Sequence, residues 1–235
     1  MGRLGRTIRS VPILGRVAAT VVTELRRPFF RGAEAYWEER YQKGRGSGDG
    51  SYGRLAEFKA EVVNRFVEAH GIASVVEFGC GDGNQLGLAS YPRYTGLDVS
   101  PTAIRLCKER FAADKTKSFY LYDTHCFVDH QQRFVGDLTL SLDVLYHIMD
   151  EVTFNAYLEQ LFDAARRHVI VYSSNTDERV PSLYLRHWRF TPWVAERRPE
   201  WRLVETIDNR YPQQGPDDPT TSHADFYIFT KSVKG

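Results

Sequence analysis

The stretch VVEFGCGDGNQL, residues 75–86, decides the fold, because an apolar run in it breaks into three alternate glycines, Gly79, Gly81 and Gly83. A short strand that ends in closely spaced glycines is typical of a turn where the backbone approaches a nucleotide. The dinucleotide fingerprint GxGxxG needs its third glycine at position 84, where this chain has Asn84. The turn therefore favours a nucleotide of another kind, and a plain strand-to-helix turn is the simpler alternative.

Two acidic residues accompany the glycines. Glu77 stands two residues before Gly79, and Asp98 closes the next apolar run, fifteen residues after Gly83. A carboxylate at the end of the second strand can accept hydrogen bonds from both hydroxyls of a ribose. A carboxylate beside the turn repels a pyrophosphate but attracts a cation. The pattern favours a positively charged nucleoside without phosphate, which describes S-adenosylmethionine.

From residue 74 onward the sequence alternates between short apolar runs and helical periodicity, which indicates βαβ units and a largely parallel sheet. Ser100 and Pro101 are a typical N-cap and first residue of a helix. The last two candidate strands follow each other without a convincing helix, so we expect an antiparallel hairpin there. Seven strands are predicted: 74–78, 93–99, 118–123, 137–146, 168–174, 201–207 and 225–230.

Three segments, EFGCGDG at 77–83, GLDVS at 96–100 and SLDVLYHIMDE at 141–151, resemble motifs of the class I S-adenosylmethionine-dependent methyltransferases. The resemblance covers about residues 54–175 in motif order. It implies an α/β, Rossmann-like class I methyltransferase fold with a seven-stranded, mostly parallel sheet and a C-terminal antiparallel hairpin. It also implies an enzyme that uses S-adenosylmethionine as the methyl donor.

The resemblance also implies roles for individual residues. The three glycines match those under the methionine part of the cofactor, and Asp98 matches the acid that binds the ribose. Asp123 matches an acid that bonds the adenine amine, and Asp143 opens the segment that faces the transferable methyl group. The expected cofactor-binding residues are Glu77, Gly79, Gly81, Gly83, Asn84, Gln85, Asp98, Val99, Asp123, Thr124 and Asp143.

A catalytic base is needed only if the acceptor is hard to deprotonate, as a sugar or aliphatic hydroxyl is and a neutral amine is not. His147 follows Asp143 by four residues, close to the carboxyl end of the fourth strand, and is the candidate base. Asp143 or Tyr146 would orient the base or the acceptor. The alternative is that His147 caps the following helix or packs beside the cofactor.

Two further segments are candidates for binding the acceptor. Residues 36–53 hold a glycine-rich stretch between aromatics and predict a flap, or in the simpler interpretation a flexible linker. This segment is similar to that of small bacterial methyltransferases that act on glycans or small metabolites. Residues 175–200 form an insertion in which aromatics could stack on sugar rings or could be core residues. The candidate acceptor-binding residues are Tyr52, Tyr184, Arg186, His187 and Trp188.

Charge separates the N-terminus from the rest of the chain. Residues 1–31 contain seven arginines and one glutamate, a net charge of +6, and the remaining 204 residues carry a net charge of −5. The domain, residues 36–235, therefore lacks the excess of positive charge that nucleic-acid enzymes use, and we expect no nucleic-acid partner. Residues 1–35 are predicted to be a basic amphipathic arm that contacts an anionic membrane surface or forms a homodimer. The simpler alternative is a helix that covers the domain's own core or is partly disordered.

The three cysteines are an odd number without CxxC spacing, so neither a disulfide framework nor a thiolate zinc site is indicated, and a cytoplasmic location fits best. Whether the methyl transfer uses a Mg²⁺ ion stays open, because the candidate ligands form no recognised metal motif. An NAD-dependent oxidoreductase and a non-catalytic scaffold on the same fold are the alternatives from other classes. The candidate magnesium ligands are Asp143, His147, Asp150, Asp177 and His223.

Overall fold

Five α-helices and seven strands lie within residues 32–214 and 218–232, the part of the chain that the computed structural model describes. The helices are α1 (Ala33–Gln42), α2 (Gly53–Ala69), α3 (Pro101–Arg110), α4 (Glu151–Asp163) and α5 (Phe190–Arg197). The strands are β1 (Val75–Phe78), β2 (Tyr94–Asp98), β3 (Lys117–Leu121), β4 (Gly136–Leu142), β5 (Ala165–Ser173), β6 (Trp201–Ile207) and β7 (Asp225–Lys231).

All seven strands pair in one sheet in the order β3-β2-β1-β4-β5-β7-β6. Strands β1 to β5 pair with one another in parallel, whereas β7 lies between β5 and β6 and is antiparallel to both. The predicted fold class and the predicted C-terminal antiparallel hairpin are confirmed. Because the carboxyl ends of parallel strands meet at one edge, the segments that follow β1, β2 and β4 lie close together there.

The core consists of two apolar layers, one on each face of the sheet. Leu138 and Leu140 of β4 pack with Phe58 of α2 on one face. Val169 of β5 packs with Leu158 of α4 on the opposite face. Both faces of the central strands are covered, which explains why their sequences are almost continuously apolar. Burying each of these side chains stabilises the fold by about 1.5–3 kcal/mol.

Two helices begin at caps that hold them at the carboxyl edge of the sheet. The Ser100 hydroxyl accepts a hydrogen bond from the Ala103 amide at 3.0 Å, so the predicted N-cap of α3 is confirmed. Asp150 caps α4 in the same way through the Thr153 amide at 2.9 Å. The fourth strand is shorter than the predicted 137–146, because Asp143 takes a left-handed conformation, φ 62°, that ends the strand at Leu142.

Residues 1–31 lie outside the described part of the chain, so the predicted basic arm, with its membrane contact or homodimer, stays a prediction. Of the predicted arm, only residues 32–35 are described, and 33–35 begin α1. No helix among the described residues combines the length and the apolar character that crossing a membrane requires.

Candidate functional site

A cavity of about 340 Å³, the first cavity, opens at the carboxyl edge of the sheet, between the ends of β1, β2 and β4 and the segment around α1. It brings together residues from three motifs that are far apart in the sequence. The predicted site residues that line it are Glu77, Gly79, Gly81, Gln85, Asp98, Val99, Thr124, Asp143 and His147.

The glycine turn needs its glycines for different physical reasons. All three have positive φ, at 87° for Gly79, 59° for Gly81 and 75° for Gly83. A Cβ on Gly81 would lie 2.3 Å from the Ser47 hydroxyl, so this glycine lets the segment above approach the turn. A Cβ on Gly83 would lie 3.0 Å from the Cys107 sulfur. Gly83 therefore serves the packing of the turn on α3 and does not line the cavity.

Asp98 ties the end of β2 to the glycine turn. One carboxylate oxygen accepts a hydrogen bond from the Gly81 amide at 2.8 Å, and the other accepts from the Ser100 amide at 2.9 Å. Burial raises the pKa of Asp98 to about 6, although both hydrogen bonds favour the charged form. The carboxylate is fixed in orientation, and each oxygen keeps a further lone pair for a ligand.

Glu77 lies at the floor of the first cavity and is 4% exposed. The Tyr94 hydroxyl donates a hydrogen bond to it at 2.6 Å. Burial raises the pKa of Glu77 to about 7, and the hydrogen bond from Tyr94 and the positive charge of Lys59 act in the opposite direction. A cation that enters the cavity would favour the ionised carboxylate.

Lys59, on α2, is a site residue that sequence reasoning missed. Its side chain is only 1% exposed, lines the first cavity and forms an ion pair with Asp143. The Tyr146 hydroxyl donates a second hydrogen bond to Asp143 at 2.6 Å, although Tyr146 itself does not line the cavity. The signal was present in the sequence, because Lys59 interrupts the apolar stripe of its helix.

The first cavity is strongly acidic. Among the described residues that line it, Lys59 is the one lysine or arginine, so the surplus of carboxylates suits a cationic ligand. The acidic lining residues are Glu34, Glu77, Asp98, Asp143 and Asp150.

His147 lines the first cavity and has one ring nitrogen left as a hydrogen-bond acceptor. Its Nδ1 lies 2.8 Å from the carbonyl oxygen of Tyr184, and a carbonyl can only accept, so Nδ1 carries the proton. Nε2 therefore bears a lone pair. Burial lowers the pKa of His147 below its usual value, which keeps the imidazole neutral at pH 7. The ring lies edge-on to Trp37, with centroids 4.8 Å apart.

The predicted flap, residues 36–53, forms the roof of the first cavity. Ser47 binds Asp82 of the glycine turn twice, as its amide donates to the carboxylate at 3.2 Å and its hydroxyl accepts from the Asp82 amide at 3.0 Å. The Tyr52 hydroxyl also donates to Asp82, at 2.6 Å, and Asn84 donates to the Ser51 carbonyl at 2.8 Å. Tyr52 and Asn84 thus hold the roof in place and do not line the cavity.

Asp123 does not lie where the motif implied. It is exposed, its carboxylate accepts from the His125 amide at 2.8 Å, and it does not line the first cavity. The neighbouring Tyr122 and Thr124 are buried and do line it. Gln85 lines it too, and its Oε1 atom is buried without a hydrogen-bond partner among the described residues.

Comparisons with known proteins were made on the sequence and on the structure. No family model and no curated protein matches the sequence. Among solved structures, the methyltransferase domain of bacterial CtHen1-C is 21% identical, with a TM-score of 0.58 over 74% of this chain and 97% of that one. The N-methyltransferase NodS from Bradyrhizobium japonicum WM9, in complex with S-adenosyl-l-homocysteine, is 17% identical, with a TM-score of 0.58 over 75% of this chain and 87% of that one.

A third solved structure extends the match over almost the whole chain. Magnesium protoporphyrin IX methyltransferase from Synechocystis PCC 6803, with bound S-adenosylmethionine, is 16% identical, with a TM-score of 0.57 over 96% of this chain and 100% of that one. The chain has the class I S-adenosylmethionine-dependent methyltransferase fold. Identities this low establish the shared fold and leave the acceptor to be argued from the residues of this chain.

Beside the first cavity lies a second cavity of about 590 Å³, lined by Met149 and by most residues of the segment 177–188. Three of the predicted acceptor residues, Arg186, His187 and Trp188, line it, and Met149 lines both cavities. Tyr184 lines neither and stacks on Tyr36 of α1 with centroids 4.8 Å apart. The insertion and the roof are therefore in direct contact.

Trp188 does not offer a free face to a sugar ring, so its predicted stacking role needs correction. Phe154 of α4 stacks on its ring with centroids 4.2 Å apart, and the Arg186 guanidinium carbon lies 3.6 Å from the ring centroid. Two groups this close must lie on opposite faces. The indole N–H donates to the Ile148 carbonyl at 2.8 Å. Trp188 is a packing residue that supports Arg186.

Within residues 32–214 and 218–232 no group of three or more His, Cys, Asp or Glu side chains is arranged to hold a metal ion. Asp143, His147 and Asp150 line the first cavity, but Asp177 lines the second. His223 packs edge-on against Tyr146, with centroids 4.7 Å apart. The five candidate magnesium ligands are thus not brought together into one group.

Proposed function

We propose that this chain is an S-adenosylmethionine-dependent methyltransferase that methylates a hydroxyl group of a glycan or a small metabolite. The observation that carries the proposal is the acidic cavity beneath a glycine turn at the carboxyl edge of this fold. The cytoplasm is the proposed location, in keeping with the free thiols of Cys80, Cys107 and Cys126.

The residues of the first cavity fit S-adenosylmethionine. Glu77 and the Oε1 atom of Gln85, which has no hydrogen-bond partner among the described residues, offer acceptors for an ammonium group. Lys59 pairs with Asp143 and has further N–H donors for a carboxylate. Asp98, fixed by two backbone amides, has lone pairs left for ribose hydroxyls. Buried Tyr122 and Thr124 take the place expected of Asp123 beside the adenine.

When bound, S-adenosylmethionine supplies a methyl group on a positively charged sulfur, and the acceptor oxygen attacks that carbon in line. His147 takes the acceptor proton on Nε2, because Nδ1 is committed to the Tyr184 carbonyl. Asp143 favours the imidazolium that forms, since its negative charge raises the pKa of His147. S-adenosylmethionine would leave as the neutral thioether S-adenosylhomocysteine, so the transfer needs no oxidant.

The roof covers part of the cavity in which this chemistry would take place. Trp37 and Ser47 cover the cavity, and Asp82 holds Ser47 and Tyr52 above the glycine turn. We infer that residues 36–53 act as a flap that opens to admit the cofactor, because they lie over the cavity and are held to the glycine turn by hydrogen bonds that can break and re-form.

A second candidate function is methylation of a small amine. One of the similar solved structures, NodS, is an N-methyltransferase. An amine that is neutral at the working pH needs no base, so His147 would then be dispensable. A nucleic-acid acceptor is disfavoured by the net charge of −5 over residues 32–235. A reaction that uses a dinucleotide such as NAD is disfavoured by Asn84 and by the acidic lining of the cavity. If the protein is a non-catalytic scaffold, we expect no turnover with any acceptor.

The direct test is to incubate the protein and methyl-labelled S-adenosylmethionine with a host-cell extract, and then to identify labelled products by mass spectrometry. The proposal expects one main product with a methyl ether. A methylated amine would favour the second candidate. Absence of label in every fraction, with S-adenosylmethionine binding intact, would favour the scaffold.

A further inference from the structure

The second cavity contains an arginine that is held ready for a ligand. The guanidinium of Arg186 lies 3.6 Å from the centroid of the Trp188 ring, and its Nη1 donates to the Met149 carbonyl at 2.8 Å. Trp188 is itself fixed between Phe154 and the Ile148 carbonyl. Arg186 therefore has little conformational freedom left to lose when it binds something else.

Arg186 also keeps unused donors. A guanidinium has five N–H groups, and the described residues give the Arg186 side chain one hydrogen-bond acceptor, the Met149 carbonyl. Its planar fork matches the two oxygens of a carboxylate or a phosphate. Since Met149 lines both cavities, a group bound by Arg186 lies next to the site where the methyl group is transferred.

Two arginines and two acidic residues line the second cavity. Arg179 lines it and has no hydrogen bond or ion pair with any described residue. Asp177 is occupied by Arg189, whose Nε lies 3.4 Å away. Glu178 also lines the cavity, and its charge acts on His187. Arg179 and Arg186 are thus the cations of the lining with donors left for a ligand that enters from solvent, and Arg186 is the one held in position by Trp188 and the Met149 carbonyl.

We propose that the second cavity binds an anionic group, a carboxylate or a phosphate, that the methyl acceptor carries, and that Arg186 is the residue that selects for it. This inference rests on the proposed methyltransferase function and narrows its acceptor to sugars or metabolites with a negative charge. Arg179 is a second contact on the solvent side.

Binding of simple anions tests the site without turnover. Inorganic phosphate and acetate are titrated, at constant ionic strength, into the wild-type protein, the Arg186→Gln variant and the Arg202→Gln variant, and binding is followed by NMR. Arg202 is the matched control, because it is exposed on β6 and lines neither cavity. We expect at least one anion to bind the wild type and R202Q alike and about tenfold more weakly to R186Q. Equal binding to all three proteins, or no saturable binding to the wild type, overturns the proposal.

Arg186→Lys is a second variant that controls for a folding defect, because it keeps the positive charge and loses the planar fork. Its thermal midpoint and its affinity for S-adenosylhomocysteine should match those of the wild type.

The labelled product from a cell extract identifies the source of the negative charge. It should be retained on an anion exchanger, and sensitivity to phosphatase separates a phosphate from a carboxylate. A neutral or cationic product contradicts this inference but leaves the methyltransferase function intact, whereas failure to bind S-adenosylhomocysteine removes the function itself.

Discussion

Lys59 and Asp143, 84 positions apart in the sequence, form an ion pair inside the first cavity. The lysine comes from the middle of α2, and the aspartate ends β4 in a left-handed conformation at φ 62°. A non-glycine residue in that conformation is strained unless its surroundings hold it there. Lys59 and the Tyr146 hydroxyl supply that restraint, so the helix fixes the residue that faces the reaction.

Removing Lys59 should therefore destabilise the protein strongly, because it leaves the mostly buried carboxylate of Asp143 without its positive counter-charge. We expect Lys59→Met to lower the free energy of unfolding by about 3–5 kcal/mol, as urea denaturation would measure. Lys43→Met, which breaks an exposed ion pair with Glu39, should cost under about 1 kcal/mol. A double variant with Asp143→Asn should cost less than the two single changes together. Equal stability of K59M and K43M would contradict the role given to the pair.

Gly81→Ala should weaken cofactor binding through the roof. The new Cβ would lie 2.3 Å from the Ser47 hydroxyl and would sit on a residue with φ 59°, so the roof or the turn must move. Strain of this kind costs about 1–3 kcal/mol, which corresponds to a loss of roughly tenfold or more in affinity for S-adenosylhomocysteine by calorimetry. Gly87→Ala is the control, because a Cβ there meets nothing within 4 Å. If G81A bound as tightly as G87A, the close approach of roof and turn would be irrelevant to binding.

The stability of the ligand-free protein should depend on Glu77 in a definite direction. Its pKa is raised from 4.5 to about 7 on folding, so its contribution is fully present below pH 4.5 and is lost as the pH rises through 7. Relative to Glu77→Gln, the wild type should lose up to about 3 kcal/mol of unfolding free energy between pH 4.5 and pH 8. Saturating S-adenosylmethionine should reduce the loss, because a bound cation favours the carboxylate. Parallel curves for the two proteins would show that Glu77 is not desolvated.

Replacement of His147 separates the two candidate reactions. For a hydroxyl acceptor, His147→Gln should lower kcat by about 10²–10⁴ and leave affinity for S-adenosylhomocysteine unchanged. In the wild type the rate should rise with pH to a plateau, with a midpoint below 6.5, because burial lowers the pKa of His147 and the neutral form is the base. An unchanged rate in H147Q would assign the histidine to packing and would favour an amine acceptor.

The motifs predicted the framework of the site because their effects are local. A strand that ends in alternate glycines specifies its own turn, and Ser100 before Pro101 specifies the start of α3. Asp98 follows from the same logic, since it closes the strand next to that turn. These residues lie close to their partners in the sequence or at the ends of neighbouring strands, so the sequence pattern alone predicts their positions.

The parts that the sequence did not predict depend on contacts between distant segments. Lys59 is buried only because Asp143, on another element, neutralises it. Trp188 seemed suited to stack on a ligand, yet Phe154 and Arg186 cover both of its faces. Asp123 fits the motif in spacing, but it turns outward to accept a hydrogen bond from the amide of His125. Side-chain direction in loops is set by such partners and not by residue type.

The most direct measurement of the central claim is calorimetry of the full chain with S-adenosylmethionine, S-adenosylhomocysteine and NAD under the same conditions. An acidic cavity under this glycine turn predicts saturable one-to-one binding of the two sulfur nucleosides and little or no binding of NAD. Tighter binding of NAD than of either sulfur nucleoside would contradict the account.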